Sequence, residues 1–300
     1  MNKNLLDFSP EVNKAITTNK PILALESTII SHGMPYPQNL AVAKNLENIA
    51  RQRGVIPATI CLMNGKIKIG LDDGDLLLLA KAPDVKKVSR SDFSNVLTKG
   101  EIGATTVAAT MIAANLAGIK VFATGGIGGV HRNAEKTFDV SADLIEFSRT
   151  PVIVISAGVK AILDIPKTLE YLETLGVPVY GYKTNHFPAF YSKRSRQKVK
   201  RIDSVDEVVQ FYKNERELGF SNGILLANSI PEEYEIPFEV MDEFIKQALA
   251  VADEQGVTGK SVTPFLLSKL VELSDGESLQ ANIKLVENNV RLGCKVAKVF

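Results

Sequence analysis

The stretch PVIVISAGVKAILDIPKTLEYL, residues 151–172, is the clearest indicator of the fold class. It starts with a short apolar run rich in β-branched residues, which is typical of a strand buried on both faces. A helical pattern follows after a break at 156–158. Because strands that alternate with helices favour a parallel sheet, this repeated order predicts a largely parallel sheet covered by helices. Seven more runs are predicted to be strands: PILALEST (21–28), PATICLM (57–63), KIKIGL (66–71), VKKVS (85–89), KVFATGG (120–126), PVYGYKT (178–184) and GILLANSI (223–230).

One pair of strands departs from this order. Asn64 and Gly65 separate two apolar runs, and Asn-Gly between such runs predicts a two-residue hairpin turn. The sheet is therefore predicted to be mixed. Helices are predicted over 37–53, where Pro37 opens and Gly54 closes the pattern, from Ser141 onward, and in most of the chain after Pro231. No linker or repeat divides the sequence, so we expect a single domain over residues 1–300.

Composition limits the class of protein. The chain has 300 residues, with 35 Lys and Arg against 34 Asp and Glu, a formal charge of +1. Such a balance gives no overall field toward nucleic acid or an anionic membrane, so we expect neither as a partner. The first 20 residues lack the pattern of a signal peptide and no apolar run could span a bilayer, which makes the cytoplasm the expected compartment. Cys61 and Cys294 are predicted to be buried small apolar residues.

The first candidate segment for chemistry is ALESTIISHGMPYPQN, residues 24–39. An apolar strand delivers Glu26, Ser27 and Thr28 to a loop that contains His32. Polar groups at the end of a strand in an open α/β sheet are well placed to bind a ligand. A structural role is an equal alternative, in which Glu26 pairs with a buried cation and the hydroxyls cap backbone groups.

The second candidate is KVFATGGIGGVHRNAEKTFDVSADL, residues 120–144. Its glycines allow backbone to approach a ligand closely, and a helix beginning near Ser141 offers unpaired N–H groups to an anion such as phosphate. A tight turn followed by a capped helix is the more conservative interpretation. The dinucleotide-binding fingerprint fails because His131 stands where a third small residue belongs, and no Walker A loop is present.

Two lysines are weaker candidates. Lys160 follows a buried strand, and a lysine that loses solvation there can act as a neutral amine nucleophile, although an isolated lysine is more often a surface residue. Lys87 could meet a phosphate as a point charge, and Thr105 and Thr106 are predicted to open and cap a helix. The basic run KRSRQKVKR, 193–201, is predicted to be a solvated surface, with RNA contact as its alternative.

Taken together, these motifs resemble the pseudouridine-5'-phosphate glycosidase family, which is also described as similar to a protein of indigoidine biosynthesis. The resemblance covers nearly the whole chain. No single motif is specific, but their combination and order are. The motifs that carry it are ALESTIISHGMPYPQN, KVSR, GATTVAATMIAA, FATGGIGGVHR, TFDVSADL, SAGVKAILD, LETLGVPVYGY, FPAFYS, TPFLLSKLVEL and NNV.

The resemblance implies an α/β/α three-layer sandwich, a homotrimer and a separate pseudouridine kinase that supplies the substrate. It implies Glu26 as proton donor, Lys160 as the nucleophile that forms an imine with the sugar, and Asp139 as ligand of a divalent metal, typically Mn²⁺. The substrate contacts that it implies, the last of them the weakest, are Lys87, Val107, His131, Ser141, Ala142, Asp143 and Asn289.

This assignment makes chemical sense of the residue types. In pseudouridine the leaving atom is a ring carbon, so protonating a heteroatom cannot break the bond. An amine bonded to the first sugar carbon could expel uracil once the leaving carbon accepts a proton. Two alternatives stay open: another imine-forming lyase or aldolase acting on a sugar phosphate, and a non-catalytic protein that binds nucleotides or RNA.

Overall fold

The computed structural model describes residues 5–257 and 262–300. Its strands are β1 (Leu6–Phe8), β2 (Ile22–Leu25), β3 (Ile56–Met63), β4 (Lys66–Ile69), β5 (Lys86–Val88), β6 (Gly103–Thr105), β7 (Val121–Ala123), β8 (Val130–His131), β9 (Ile153–Ser156), β10 (Leu163–Asp164), β11 (Val179–Tyr182), β12 (Lys200–Ile202) and β13 (Ile224–Ala227).

The helices begin and end as follows: α1 (Pro10–Thr17), α2 (Thr28–Ser31), α3 (Gln38–Gln52), α4 (Asp73–Lys81), α5 (Phe93–Lys99), α6 (Val107–Leu116), α7 (Ala134–Thr137), α8 (Ala142–Phe147), α9 (Ile165–Thr174), α10 (Val205–Glu217), α11 (Phe238–Glu254), α12 (Val262–Leu273) and α13 (Glu277–Ala297). Short 3-10 helices lie at Arg90–Asp92 and Glu232–Tyr234.

The main sheet is mixed and mostly parallel, as predicted. Its strands follow the order β1-β4-β3-β2-β7-β9-β13-β11-β12, and β6 pairs with both β3 and β5. Along the part of this order that runs from β3 through β2, β7, β9, β13 and β11 to β12, neighbouring strands are parallel. Strands β4 and β6 run antiparallel to β3. The carboxyl ends of β2, β7, β9 and β13 therefore meet along one edge of the sheet.

The predicted hairpin at Asn64-Gly65 is confirmed. It joins β3 to β4, and both turn residues have positive φ, 54° for Asn64 and 73° for Gly65. This is the backbone conformation that a two-residue hairpin turn requires. The prediction for Thr105 was wrong, because this residue ends β6 and does not open a helix. Thr106 does cap α6, accepting a hydrogen bond from Ala109 N.

Helices cover both faces of the sheet, which confirms the layered α/β/α class. On one side α13 packs on β2, β7 and β9 and contacts α3 and α10. Another group of helices contains α6, which packs on β2, β3 and β7, and α8, which contacts α6 and α9. Gly293 allows the close approach of α13, since a Cβ there would lie 2.8 Å from Leu23 and 3.3 Å from Ala123. The carboxyl edge of the sheet is thereby held rigidly between two helical layers.

Several local predictions agree with the structure. Helix α3 begins directly after Pro37, and Gly54 follows it with a φ of 69°. Ser141 caps α8 by accepting a hydrogen bond from Asp143 N. Cys61 and Cys294 are both buried and free. Among residues 5–257 and 262–300, no helix is both long and apolar enough to cross a membrane.

Candidate active site

The site lies at the carboxyl edge of the sheet. Glu26, Thr124 and Asn228 are the residues directly after β2, β7 and β13. Lys160 lies on the loop after β9, and a hydrogen bond of 3.0 Å from Lys160 N to Ile127 O ties this loop to the one that follows Thr124. The short antiparallel pair β8 and β10 joins the same two loops further on. Parallel strands thus bring segments distant in sequence to one place.

A cavity of about 340 Å³ opens at this edge, and we call it the main cavity. Nine of the ten residues predicted for the site line it, the exception being Asn289. Its lining includes Glu26, Thr28, Lys87, Ser89, Ser91, Thr106, Val107, Gly128, His131, Asp139, Val140, Ser141, Ala142, Asp143, Lys160, Leu163 and Thr263.

Glu26 is a buried carboxyl group at the floor of the main cavity, with 7% of its surface exposed. Burial raises its pKa above the usual range, opposed chiefly by the nearby positive charge of Lys160. The Thr124 hydroxyl donates a short hydrogen bond to Glu26 Oε1. Burial thus favours the protonated form of this carboxyl group. The structural alternative for Glu26 was a pair with a buried cation. Its hydrogen-bond partner is instead the Thr124 hydroxyl.

Lys160 is half-buried and faces the same cavity as Glu26. Within the described part of the chain, no carboxylate oxygen lies within 4.0 Å of Lys160 Nζ. Lys167, in contrast, forms an ion pair with Glu135 at 2.9 Å. Among the described residues the Lys160 amine is therefore not held in an ion pair, which suits a group that must react.

Several hydrogen-bond donors line the main cavity, and we call them the donor wall. Val107 opens α6, and its N–H is one of the first-turn donors with no acceptor inside the helix. Lys87 adds a cation, and the hydroxyls of Ser89, Ser91 and Ser141 complete the donor wall. A helix N-terminus with a lysine and hydroxyl groups is an arrangement that suits an anion such as phosphate.

Asp143 joins the segments that form this wall. Its Oδ1 accepts from Ala108 N and its Oδ2 from Gly128 N, each at 2.8 Å. Gly128 must lack a side chain, because a Cβ there would overlap Ser141 Oγ and lie 2.7 Å from Asp143 Oδ2. Both carboxylate oxygens therefore hold backbone in place, and the predicted contact of Asp143 with substrate stays a prediction.

Asp139 and His131 form a second polar group at the rim. His131 Nδ1 lies 3.7 Å from Asp139 Oδ2, and 40% of the Asp139 side chain is exposed. Burial, aided by the charges of Lys87 and Lys160 and opposed by Asp139, lowers the pKa of His131, so the imidazole is neutral. Across residues 5–257 and 262–300, no three His, Cys, Asp or Glu side chains cluster as a metal site would.

A smaller cavity of about 40 Å³, the side cavity, adjoins the main one and shares Glu26, Lys87 and Lys160 with it. It is bounded by Phe190, Leu267 and the Gly125-Gly126 turn. His32 and Asn282 also line it, and His32 Nε2 and Asn282 Oδ1 are buried atoms without a hydrogen-bond partner. Because buried polar atoms normally have partners, these two indicate contact with a ligand.

The chain is similar to known proteins over nearly its whole length. Residues 11–299 match the family model described as indigoidine synthase A like protein. The chain belongs to the indigoidine synthase A-like family. Relatives named pseudouridine-5'-phosphate glycosidase include one from Caldanaerobacter subterraneus, 54% identical over 97% of this chain and 95% of that protein. Another, from Geobacillus kaustophilus, is 55% identical over 98% of each. The resemblance predicted from the motifs is confirmed.

Two solved structures share the fold of this chain. A crystal structure of an indigoidine synthase A-like protein from Thermotoga maritima is 36% identical, with a TM-score of 0.90 over 98% of this chain and 96% of that one. The prealnumycin C-glycosynthase AlnA, solved in complex with ribulose 5-phosphate, is 35% identical, with a TM-score of 0.91 over 99% and 97%.

Asn289 lines neither the main cavity nor the side cavity. It is fully buried on α13, where its Nδ2 donates to Thr124 O at 2.8 Å and to Gly125 O at 3.3 Å. Its Oδ1 accepts from Asn228 Nδ2 at 3.0 Å. Because the amide is occupied on both sides, this position does not fit the predicted contact with uracil. Asn282, two helical turns earlier, faces the side cavity instead, and the sequence reasoning missed it.

The remaining polar candidates have structural roles. The Ser27 hydroxyl donates to Ile60 O at 2.6 Å, and the Thr28 hydroxyl donates to Thr105 O at 2.6 Å, as the capping alternative predicts. The basic run 193–201 lies outside both cavities, and its two ends form ion pairs, Lys193 with Glu232 and Arg201 with Asp203. These contacts give the nucleic-acid alternative no support.

Proposed function

We propose that this protein is a pseudouridine-5'-phosphate glycosidase, which cleaves the carbon–carbon bond between uracil and ribose 5-phosphate. The observation that carries the proposal is that Glu26, buried and with a raised pKa, shares one cavity with Lys160. Relatives 53–55% identical over nearly the full length bear that name. The complex of AlnA with ribulose 5-phosphate supports a sugar phosphate as ligand.

Lys160 supplies the nucleophile in this proposal. Its neutral amine attacks the first carbon of the ribose, the bond from that carbon to the ring oxygen breaks, and the released oxygen takes a proton from the attacking nitrogen, so the sugar opens. The nitrogen lone pair then forms a C=N bond while the bond to uracil breaks, and the released uracil carbon takes a proton. Water hydrolyses the imine, which returns the amine and gives ribose 5-phosphate.

Glu26 supplies that proton. Burial raises the pKa of Glu26 and so favours its protonated form, which is the form that can deliver a proton. The reaction needs this carboxylic acid together with the free amine of Lys160. The shared cavity thus prepares an acid and a nucleophile together.

The substrate phosphate is assigned to the donor wall of the main cavity. Lys87, the N-terminus of α6 at Val107 and the hydroxyls of Ser89 and Ser141 converge there. The ribose then lies between this wall and Lys160, and His131 lines the intervening surface. This orientation directs the base toward the side cavity.

The polar edge of uracil is assigned to the side cavity. A ring linked through carbon presents two N–H groups, because neither ring nitrogen bonds the sugar. His32 is kept neutral by burial and the nearby charge of Lys87, which lower its pKa, while a hydrogen bond with the Val85 backbone raises it. Because Nε2 has no hydrogen-bond partner in the protein, we assign it as the acceptor for one uracil N–H, and the Asn282 amide oxygen supplies a second acceptor.

Replacing Asn282 tests this assignment. We expect Asn282→Leu, measured with pseudouridine 5'-phosphate, to lower kcat/KM by about 10- to 100-fold, the effect of leaving one buried partner of a substrate hydrogen bond unpaired. Binding of ribose 5-phosphate alone should change little, since the phosphate contacts lie elsewhere. Asn288→Leu on the same helix is the matched control, because Asn288 binds Ser229 O. Equal effects of the two substitutions would refute the assignment.

Asp139 is proposed to hold a divalent metal such as Mn²⁺. Its carboxylate is partly exposed at the rim, and neutral His131 lies beside it. One carboxylate suits a hard cation whose other ligands are water and substrate oxygens, rather than a metal enclosed by protein. When bound, such an ion would help to neutralise and order the phosphate-bearing substrate.

Metal removal should therefore be easy and reversible. We expect dialysis against a chelator to reduce uracil release at least about tenfold, and added Mn²⁺ to restore it, because few protein ligands hold the ion. Asp139→Asn should weaken Mn²⁺ binding measured by calorimetry while leaving the melting temperature unchanged. Full activity in a chelated, metal-free sample would exclude this role for Asp139.

The function itself is tested by product analysis. Wild-type protein with Mn²⁺ and pseudouridine 5'-phosphate should release uracil and ribose 5-phosphate in equal amounts. Cleavage of another sugar phosphate, without uracil release, would instead favour an imine-forming aldolase. A separate pseudouridine kinase as the source of substrate, the homotrimer and the cytoplasmic location stay predictions.

A further inference from the structure

We propose that Asn289 is a positioning residue that acts on the proton donor Glu26 through Thr124. This inference rests on the proposed function, in which Glu26 delivers a proton to uracil. Asn289 touches neither cavity, so any effect on the reaction must pass through the residues that it contacts. The structure supplies one continuous chain of contacts for this purpose.

This series of contacts begins at the carboxyl edge of the sheet. Asn228, directly after β13, donates from its Nδ2 to Asn289 Oδ1 at 3.0 Å. Asn289 Nδ2 in turn donates to Thr124 O at 2.8 Å, and the Thr124 hydroxyl donates to Glu26 Oε1. Asn228, Asn289, Thr124 and Glu26 are all less than 9% exposed. Water therefore offers little competition for these contacts, and each fixes the next.

The position of Asn289 suits this role better than a packing role. Thr124 lies at the end of β7, where its N–H bonds Ile155 O, and a glycine turn follows at once. The carbonyl groups of Thr124 and Gly125 point toward α13, and Asn289 Nδ2 serves both. Gly125 O also accepts from Ala157 N at 2.8 Å, so loss of the Asn289 donor would chiefly release Thr124 O, and the Thr124 side chain would move with it. Glu26 would then lose the contact that fixes its oxygens.

Substitutions in this series of hydrogen bonds should lower kcat more than they change KM. We expect Asn289→Ala to lower kcat by about 10- to 100-fold, the usual cost of misplacing a catalytic group, with KM changed less than about twofold. The hydrogen bond from Thr124 lowers the pKa of Glu26, so weakening it raises that pKa. The high-pH fall in kcat should therefore move to higher pH.

Three further variants separate positioning from stability. Thr124→Val should reproduce the shift of the pH profile, Thr124→Ser should restore it, and the double variant with Asn289→Ala should be no slower than Thr124→Val alone. Asn288→Ala is the control, because it removes a similar amide from α13 without touching Thr124. The charges that face Glu26, those of Lys160, Lys87 and Asp143, are the same in all these proteins.

The outcomes are distinct. A folded Asn289→Ala variant with wild-type kcat and pH profile, or a double variant whose losses multiply, would overturn the proposal. If Asn289→Ala does not fold, Asn228→Ala removes only the donor to Asn289 and should shift the profile in the same direction; an unchanged profile there also overturns it. Failure of the wild-type protein to release uracil would instead reject the underlying function.

Discussion

Lys160→Ala is expected to release uracil from pseudouridine 5'-phosphate at least about 10³-fold more slowly than the wild type. Removing a nucleophile eliminates the covalent route, and the remaining groups then contribute little. Binding of ribose 5-phosphate to the variant should persist, because the donor wall is intact. The measurement is uracil release under single-turnover conditions, with ligand binding followed by calorimetry.

Two comparisons show whether Lys160 acts as an amine or only as a charge. Lys160→Arg keeps the positive charge but cannot form the imine, so it should be as inactive as Lys160→Ala. Lys167→Ala, seven residues later, removes an exposed lysine that pairs with Glu135 and Asp164, and should keep full activity. An active Lys160→Arg variant would contradict the proposed chemistry.

Glu26→Gln is expected to lower kcat by about 10²- to 10⁴-fold, the usual contribution of a general acid. The amide keeps the size of the side chain and still accepts the Thr124 hydrogen bond, but it has no proton to transfer. Because burial disfavours the carboxylate in the folded state, the variant should unfold no more easily than the wild type at neutral pH. Lost activity in a protein of unchanged melting temperature then reports the chemical step.

The same substitution tests the pH dependence. Glu26 acts in its protonated form, and burial raises its pKa, so wild-type kcat should fall as the pH rises through that raised value. In Glu26→Gln the remaining activity should lack this fall. A high-pH fall of the same shape in both proteins would show that another group causes it.

Much of the fold is readable in the sequence, because its signals are local. The buried strands are short β-branched runs, and the hairpin depends on Asn64-Gly65 alone. Thr105 shows where this reasoning fails. Its hydroxyl donates to Ile60 O at 2.7 Å and its N–H to Ser27 Oγ at 2.8 Å. These partners lie on β3 and in the segment between β2 and α2, far from Thr105 in sequence, and local propensity at a helix start cannot reveal them.

A site residue could be predicted where its own stretch of sequence places it. It could not be predicted where its role depends on how two distant segments pack together. Glu26 and Lys160 follow apolar strands, so their position at the carboxyl edge follows from the parallel order. Asn282 and Asn289 are seven residues apart on one helix and face the same side. Periodicity places both on the buried face of α13. Only the packing of α13 against the sheet shows that Asn282 faces a cavity and Asn289 faces backbone.

Chemical trapping tests most directly whether Lys160 forms a covalent imine with the sugar. Borohydride added during turnover of pseudouridine 5'-phosphate should reduce the C=N bond and leave a stable sugar-phosphate adduct on Lys160, detected by peptide mass spectrometry, together with released uracil. Turnover without any adduct, or an adduct confined to another lysine such as Lys87, would contradict the account.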